Sequence, residues 1–276
     1  MNIGDLRNRQ YAFLGAGIIA GVFAERLIRG GGVPAQRITA SDLDAEKAAA
    51  LAARLGIRPA RSNPEAAAAG DVVFLAVPPN AVLPVLDEVR AALRPGAWII
   101  SLAAVIQTGW MQERLGPAAK IVRVIPNTPS LVGAGMNPHC LGCSVSADDL
   151  PSIDALLAVF GDTIRLEEPL MEAATALTAV GPTYFFPVLE ALRDAAVQAG
   201  LPQEVAERAA AATASGAARL IAETGRAPED LKQMIGTRTL AEPEAKPLFS
   251  SAYAMAFEKL AAARKKLAPP GKQAGA

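Results

Sequence analysis

Gly15, Gly17 and Ala20 are spaced as GAGIIA behind a short apolar run, Tyr11 to Leu14, and that spacing implies a definite chemistry. Gly15 permits a sharp turn at a strand end, and Gly17 lets backbone approach a phosphate closely. Ala20 keeps the following helix near the strand. Ile18 and Ile19 open that helix, so its first amides and its dipole face the same point, as a dinucleotide pyrophosphate requires. A carboxylate about 20 residues further on is the expected ribose ligand, and Asp42 stands there. Such a residue accepts both ribose hydroxyls of NAD and repels the 2′-phosphate of NADP, which favours NADH over NADPH. Asp42 also suits a helix N-cap, although Asp44 in SDLDAEK is the better placed of the two for that role.

A second polar pair, Asn127 and Thr128, lies between Pro126 and Pro129 in VRVIPNTPSLVGAGM. Prolines on both sides fix an amide and a hydroxyl at a strand end. They serve either to touch a ligand or to close a local turn. Two cysteines, Cys140 and Cys143, adjoin the single histidine, His139, in HCLGCSV. A zinc site needs a second ligand pair, so no metal is expected, and small residues on a buried strand with His139 at a loop edge is the better reading.

These groups need a scaffold, and the apolar periodicity supplies one. Continuous β-branched runs at Asp71–Val77, Trp98–Ala104 and Lys120–Ile125, with a further strand at Gln36–Ser41, read as strands buried on both faces. Helical segments fall between them, through Glu46–Leu55, Ala81–Leu93 and Thr108–Leu115. This alternation predicts a doubly wound parallel sheet, with ligands at the carboxyl ends of its strands. The turns after Leu14, Val77, Leu102 and Ile125 then border one crevice, making Ala76, Val77, Pro78, Ala103 and Asn127 further cofactor-binding candidates. Beyond a strand at Thr163–Leu166 the pattern turns helical, punctuated by Pro182, Pro202, Gly225 and Pro228. Val205, Ala209, Ala212 and Gly216 form a small-residue stripe that suits burial against a second copy.

At 276 residues the chain has room for two domains. Its 27 basic and 27 acidic residues cancel, which removes the charge argument for nucleic acid or a membrane surface. A small metabolite is the expected partner. MNIGDLRNRQ lacks the apolar core of a signal peptide, and no apolar run reaches membrane-spanning length, so a cytoplasmic protein is expected.

The chain resembles pyrroline-5-carboxylate reductases. The likeness is carried by GAGIIA, FLAV-x-P, SLAA, PNTPSLVGAGM, GPTY, EALRDAAVQAGLP and the AETG-x-x-P-x-x-LK-x-M run. It implies an α/β architecture in which an N-terminal Rossmann domain, residues 1–168, precedes an all-helical substrate and dimerisation domain, residues 169–276. It also implies reduction of a cyclic imino acid to proline by NADPH or NADH in a homodimer or a multiple of dimers. Thr178, and Thr183 in the GPTY turn, would offer hydroxyls to the substrate, and Thr237 with Arg238 would receive its carboxylate. Departures gather at that end. The family's SGSGPAY aligns with Thr178–Tyr184, where Val180 replaces a hydroxyl, and its glycine-rich SPGGTT loop aligns with Thr237–Glu242, TRTLAE. The lysine of its AVKP has become Pro78, and Pro187 enters a helix interior, where it should bend the helix. Arg238 then either forms a bidentate pair with an acid or is a solvated loop residue. A related imine reductase and a non-catalytic nucleotide-binding homologue are the alternatives. A β-hydroxyacid-type dehydrogenase is disfavoured, because no lysine lies between Lys120 and Lys232.

Overall fold

The computed structural model describes residues 4–271; Met1–Ile3, at the head of MNIGDLRNRQ, and 272–276 lie outside the described residues. In chain order the first elements are α1 Gly4–Asn8, β1 Tyr11–Leu14, α2 Ile18–Arg29, β2 Ile38–Ser41, α3 Ala45–Leu55, β3 Arg58–Pro59, α4 Asn63–Ala69, β4 Val72–Leu75, α5 Pro79–Val89, β5 Trp98–Ser101, α6 Thr108–Leu115 and β6 Lys120–Val124. There follow β7 Gly135–Leu141, α7 Leu150–Ala158, β8 Gly161–Arg165, α8 Met171–Thr178, α9 Pro182–Gln198, α10 Gln203–Thr224, α11 Pro228–Lys232 and α12 Glu242–Leu267. The described residues divide into two compact units, one within Met1–Val180 and Ala256–Ala276, the other Gly181–Met255.

The first unit is built on one sheet of order β3-β2-β1-β4-β5-β6-β7-β8. Its first six strands run parallel, β7 is antiparallel to β6, and β8 is parallel to β7. Strand order reverses at β1, which pairs with both β2 and β4, so the crevice outside its carboxyl end is where a ligand belongs. Alternation along β1 shows why its sequence has no polar face: Tyr11 and Phe13 enter one core cluster, Ala12 and Leu14 the other. Burial of both faces favours such apolar runs. Phe13 stacks on Phe74 at 4.7 Å between centroids, and Phe23 stacks on Phe160 at 3.9 Å. Each buried ring contributes about 1.5–3 kcal/mol of transfer free energy.

Several expected boundaries shift. Gln36 and Arg37 lie in a 3-10 turn, Ala35–Arg37, rather than in β2. Strand pairing also stops at Ser101 in β5, short of Ala104. Pro187 sits inside α9, whose helix continues as one run of 17 residues.

His139 is not at a loop edge. It stands within β7, opposite Val124, and is 2% exposed. Burial pushes its imidazole below the ordinary value; Asp154 opposes this and Arg165 adds to it. The unfolded chain takes this proton near pH ~6.5 while the folded chain resists it, so the stability due to neutral His139 is whole above that pH and falls as pH drops below it. Because His139 is the only histidine, the urea midpoint should decline between pH 7.5 and 5.5, and His139→Gln should flatten that slope. An equal slope in the variant would assign the decline to other groups.

The second unit is thin. No residue of α9 is buried and only Ala206 of α10 is, leaving Phe185, Phe186, Leu192, Val205 and Leu220 exposed on a single chain. Val205, Ala209, Ala212 and Gly216 all lie on the uncovered surface of α10. Among the described residues no helix is long and apolar enough to cross a membrane.

Candidate functional site

The glycine turn threads between the ends of two neighbouring strands. Gly15 N–H donates to Ser41 O at 2.8 Å, and Ala76 N–H donates to Leu14 O at 2.8 Å. Gly15 has φ +99°, and a Cβ there would meet Ala76 O at 2.5 Å. Both conformation and proximity therefore require glycine. Gly17 is the N-cap of α2, with no side-chain cap and no acidic residue in the first turn. A Cβ on Gly17 would meet nothing within 4 Å. The head of α2 thus presents uncapped amides and the positive end of its dipole to open space, which fits an anionic group such as a pyrophosphate.

That space is a cavity of about 770 Å³. Gly15, Gly17, Ile18, Ile19, Asp42, Ala76, Val77 and Pro78 all line it, so the fold brings together eight of the ten cofactor candidates. Ala103 is buried in the core, and its neighbour Leu102 faces the cavity instead. Asn127 is not among the lining residues. Its Nδ2 donates to Thr178 O at 3.2 Å and its Oδ1 accepts from Met136 N–H at 3.2 Å, so it ties the loop to the end of α8 and to β7 rather than closing its own turn.

Asp42 also has structural work. Its Oδ2 accepts from Ala16 N–H at 2.8 Å and its Oδ1 from Asp44 N–H at 3.0 Å, tying the glycine turn to the end of β2. Each oxygen retains a lone pair for a ribose hydroxyl. Asp44 is the cap of α3, accepting from Glu46 N–H at 3.1 Å. Sequence reading missed Leu43, Lys47, Asn63 and Leu102 as lining residues. Asn63, fixed by Ser41 Oγ at 2.8 Å and by donation to Glu88 at 2.9 Å, follows the carboxyl end of β3, a position the crevice rule could have identified.

The PNTP turn is held from behind. Ser130 Oγ donates to Asn137 Oδ1 at 2.9 Å, and both residues are fully buried. Arg26 of α2 donates to Val159 O at 3.0 and 3.2 Å, its guanidinium filling the space that a Cβ on Gly133 would need. Asn127 and Thr128 thereby sit on a braced loop. Thr178 Oγ1 donates to Ala174 O at 2.9 Å within its own helix, keeping acceptor capacity only.

Beside this loop lies a charge cluster with no local signal in the sequence. Arg123 of β6, 0% exposed, pairs with Glu168 and, at 3.2 Å, with Glu172 of α8. Glu172 also pairs with Arg264 of α12 at 3.1 Å, while Glu168 accepts from Thr108 N–H at 2.8 Å and from its hydroxyl. Burial works to raise the Glu168 carboxyl, but Arg123 and Thr108 hold it below its usual range. Cys140 is buried and its thiol is pushed well up, first by burial and then by Glu168, which leaves it unreactive.

Thr183, Thr237 and Arg238 belong to the second unit. The TRTLAE stretch is flanked there by ion pairs: Lys232 holds Glu242 at 2.8 Å and Glu229 at 2.6 Å, and Glu242 also holds Lys246 at 3.3 Å. Arg238 is half exposed, with Glu229 at 3.9 Å.

Comparison with known proteins places this architecture. A family described as NADP oxidoreductase, coenzyme F420-dependent, matches residues 10–105, and one described as pyrroline-5-carboxylate reductase dimerisation matches residues 168–239. A pyrroline-5-carboxylate reductase of Corynebacterium melassecola is 36% identical over 224 residues, 80% of this chain and 83% of that protein. The solved pyrroline-5-carboxylate reductase of Coxiella burnetii superposes with a TM-score of 0.76 at 29% identity, covering 95% of this chain and 99% of that one. The Plasmodium falciparum pyrroline carboxylate reductase, solved with NADP bound, shares the fold with a TM-score of 0.80 at 24% identity, over 95% and 98% of the two chains. With the glycine turn, the crevice and the helical second half in place, these matches establish that the chain belongs to the pyrroline-5-carboxylate reductase family.

Proposed function

We propose that this chain reduces pyrroline-5-carboxylate to proline, using a reduced nicotinamide dinucleotide bound in the cavity at the head of α2. The uncapped amides behind Gly17, open to that cavity in a chain of this family, carry the reading. When bound, the nicotinamide supplies a hydride to the C=N carbon; the ring nitrogen of the imine holds or takes a proton, and the product is a secondary amine. The protein's part is binding, orientation and exclusion of water. Backbone amides of Ile18 and Ile19 hold the pyrophosphate, and Ala76, Val77 and Pro78 form an apolar wall. Asn127 and Thr128 border the nicotinamide from the braced loop. Thr178 and Thr183 face the substrate, and Thr237 with Arg238 takes its carboxylate.

Asp42 sets the cofactor preference towards NADH, because a carboxylate at the end of β2 accepts ribose hydroxyls and opposes a phosphate. We divide the functions at residues 168 and 169, where the match to the dimerisation family begins. The exposed apolar side chains of α9 and α10 support a homodimer. Two free thiols suit a reducing compartment such as the cytoplasm.

Loss of reduced-nicotinamide absorbance with pyrroline-5-carboxylate, measured with NADH and NADPH side by side, tests the reading. Turnover with NADH ahead is expected. Turnover only on a six-membered cyclic imino acid would move the substrate assignment, and cofactor binding without any turnover would favour a non-catalytic role. In the same assay Arg238→Met should raise KM for the acidic substrate roughly tenfold while changing kcat less, the pattern of a lost charge-assisted contact. An unchanged KM removes Arg238 from the carboxylate site.

A further inference from the structure

Val105 is the one residue other than glycine, among the described residues, whose φ is positive, at +64°. For a β-branched side chain that is a true outlier, because its Cβ crowds the neighbouring carbonyl oxygen. Strain of this kind persists only where the surroundings over-determine it, and it gathers at functional sites. Val105 is buried in the turn of residues 102–107, between β5 and α6, and Leu102 at the head of that turn faces the cavity. The other end of the turn is fastened from a distance. α6 has no side-chain cap of its own and no acidic residue in its first turn. Glu168, 60 residues further on in the 3-10 turn before α8, supplies both. Its Oε2 accepts from Thr108 N–H at 2.8 Å and from Thr108 Oγ1 at 2.5 Å, while Arg123 holds its Oε1. A carboxylate at a helix head is favoured by the dipole as well as by its donors. Midway along the turn, Ala104 packs in the small cluster of Ile125, Cys140 and Met171, next to the root of the PNTP loop.

We propose that Glu168 and Val105 are positioning residues: the Glu168–Thr108 catch holds the 102–107 turn in a conformation that Val105 would otherwise leave, and so fixes the wall that Leu102 presents to the cavity. This rests on reading the cavity as the cofactor site and deepens it. Both residues act through the wall. Releasing the catch lets Val105 return to an ordinary φ and draws Leu102 with it. Hydride transfer is sensitive to such a movement, since a displacement of about 1 Å costs up to a hundredfold in rate.

A suppressor experiment on the full-length protein tests the catch. Thr108→Val keeps the amide donor but loses the hydroxyl, and should lower kcat roughly tenfold while the calorimetric Kd for NADH stays within about twofold. Thr108→Ser keeps the hydroxyl and should keep the wild-type rate. Glycine accepts a positive φ without strain, so adding Val105→Gly to Thr108→Val should recover most of the lost rate. Val105→Gly also empties buried space and should lower the melting temperature, so recovery in a less stable protein is not general stabilisation. Hydrogen exchange of the cofactor-free protein reads the same turn without turnover: amides of residues 102–110 should exchange roughly tenfold faster in Thr108→Val and slow again in the double variant. An unchanged kcat in Thr108→Val, an equal loss of NADH affinity, or a double variant slower than Thr108→Val overturns the catch. If the wild type turns over no imine, the functional reading falls, and hydrogen exchange alone decides the catch.

Discussion

Replacing Arg123 by methionine is expected to lower the unfolding free energy by about 3–5 kcal/mol, a large share of the stability of an ordinary domain. The reason is what remains behind. Arg123 has no exposure, and its removal strands two carboxylates next to a strand of the central sheet. Their remaining partners differ: Glu172 still has the cation of Arg264 at 3.1 Å, whereas Glu168 keeps only neutral donors among the described residues, the Thr108 amide at 2.8 Å, the Thr108 hydroxyl at 2.5 Å and the Cys140 thiol. The penalty should therefore fall mainly on Glu168. Adding Glu168→Gln to Arg123→Met should recover a good part of the loss, since a neutral amide costs less to bury than an unpaired carboxylate. Equilibrium urea unfolding of the single and double variants decides the matter. A loss below about 1 kcal/mol in Arg123→Met would mean that water reaches the cluster readily.

That cluster also marks where sequence reading stops. In VRVIP, Arg123 stands in a run that reads as buried on both faces, yet nothing nearby in the sequence supplies a partner for its charge. What buries it is a pair of glutamates more than forty residues downstream, brought over by β7, β8 and the turn before α8. Separation in sequence also hid Lys47 and Asn63, which line the cavity only because the sheet places β2 beside β1 and β3 beside β2. By contrast, the glycine turn, the parallel strands and the proline-marked helix starts are local signals, and they lie where the sequence puts them. His139 failed for an intermediate reason: β7 pairs antiparallel to β6 through a register that no local pattern displays.

The second large effect separates the two glycines that the sequence presents as one motif. Gly17→Val should weaken cofactor binding on the order of a hundredfold while leaving the melting temperature nearly unchanged. At φ −74° and ψ −170° a valine is unstrained at the cap position, and nothing within 4 Å opposes a Cβ there. The new side chain would stand in the space before the α2 amides, which the pyrophosphate needs. Gly15→Ala makes the opposite case. Its φ of +99° and the 2.5 Å approach to Ala76 O force the turn to move, so stability should fall by about 1–3 kcal/mol alongside binding. Calorimetric titration with NADH, paired with thermal melts, distinguishes them. If Gly17→Val bound cofactor normally, the pyrophosphate would not lie against α2. If Gly15→Ala kept wild-type stability, the turn would have room that its hydrogen bonds to Ser41 and between Ala76 and Leu14 deny. One glycine is there for the fold and the other for the ligand, and only the pair of measurements shows which is which.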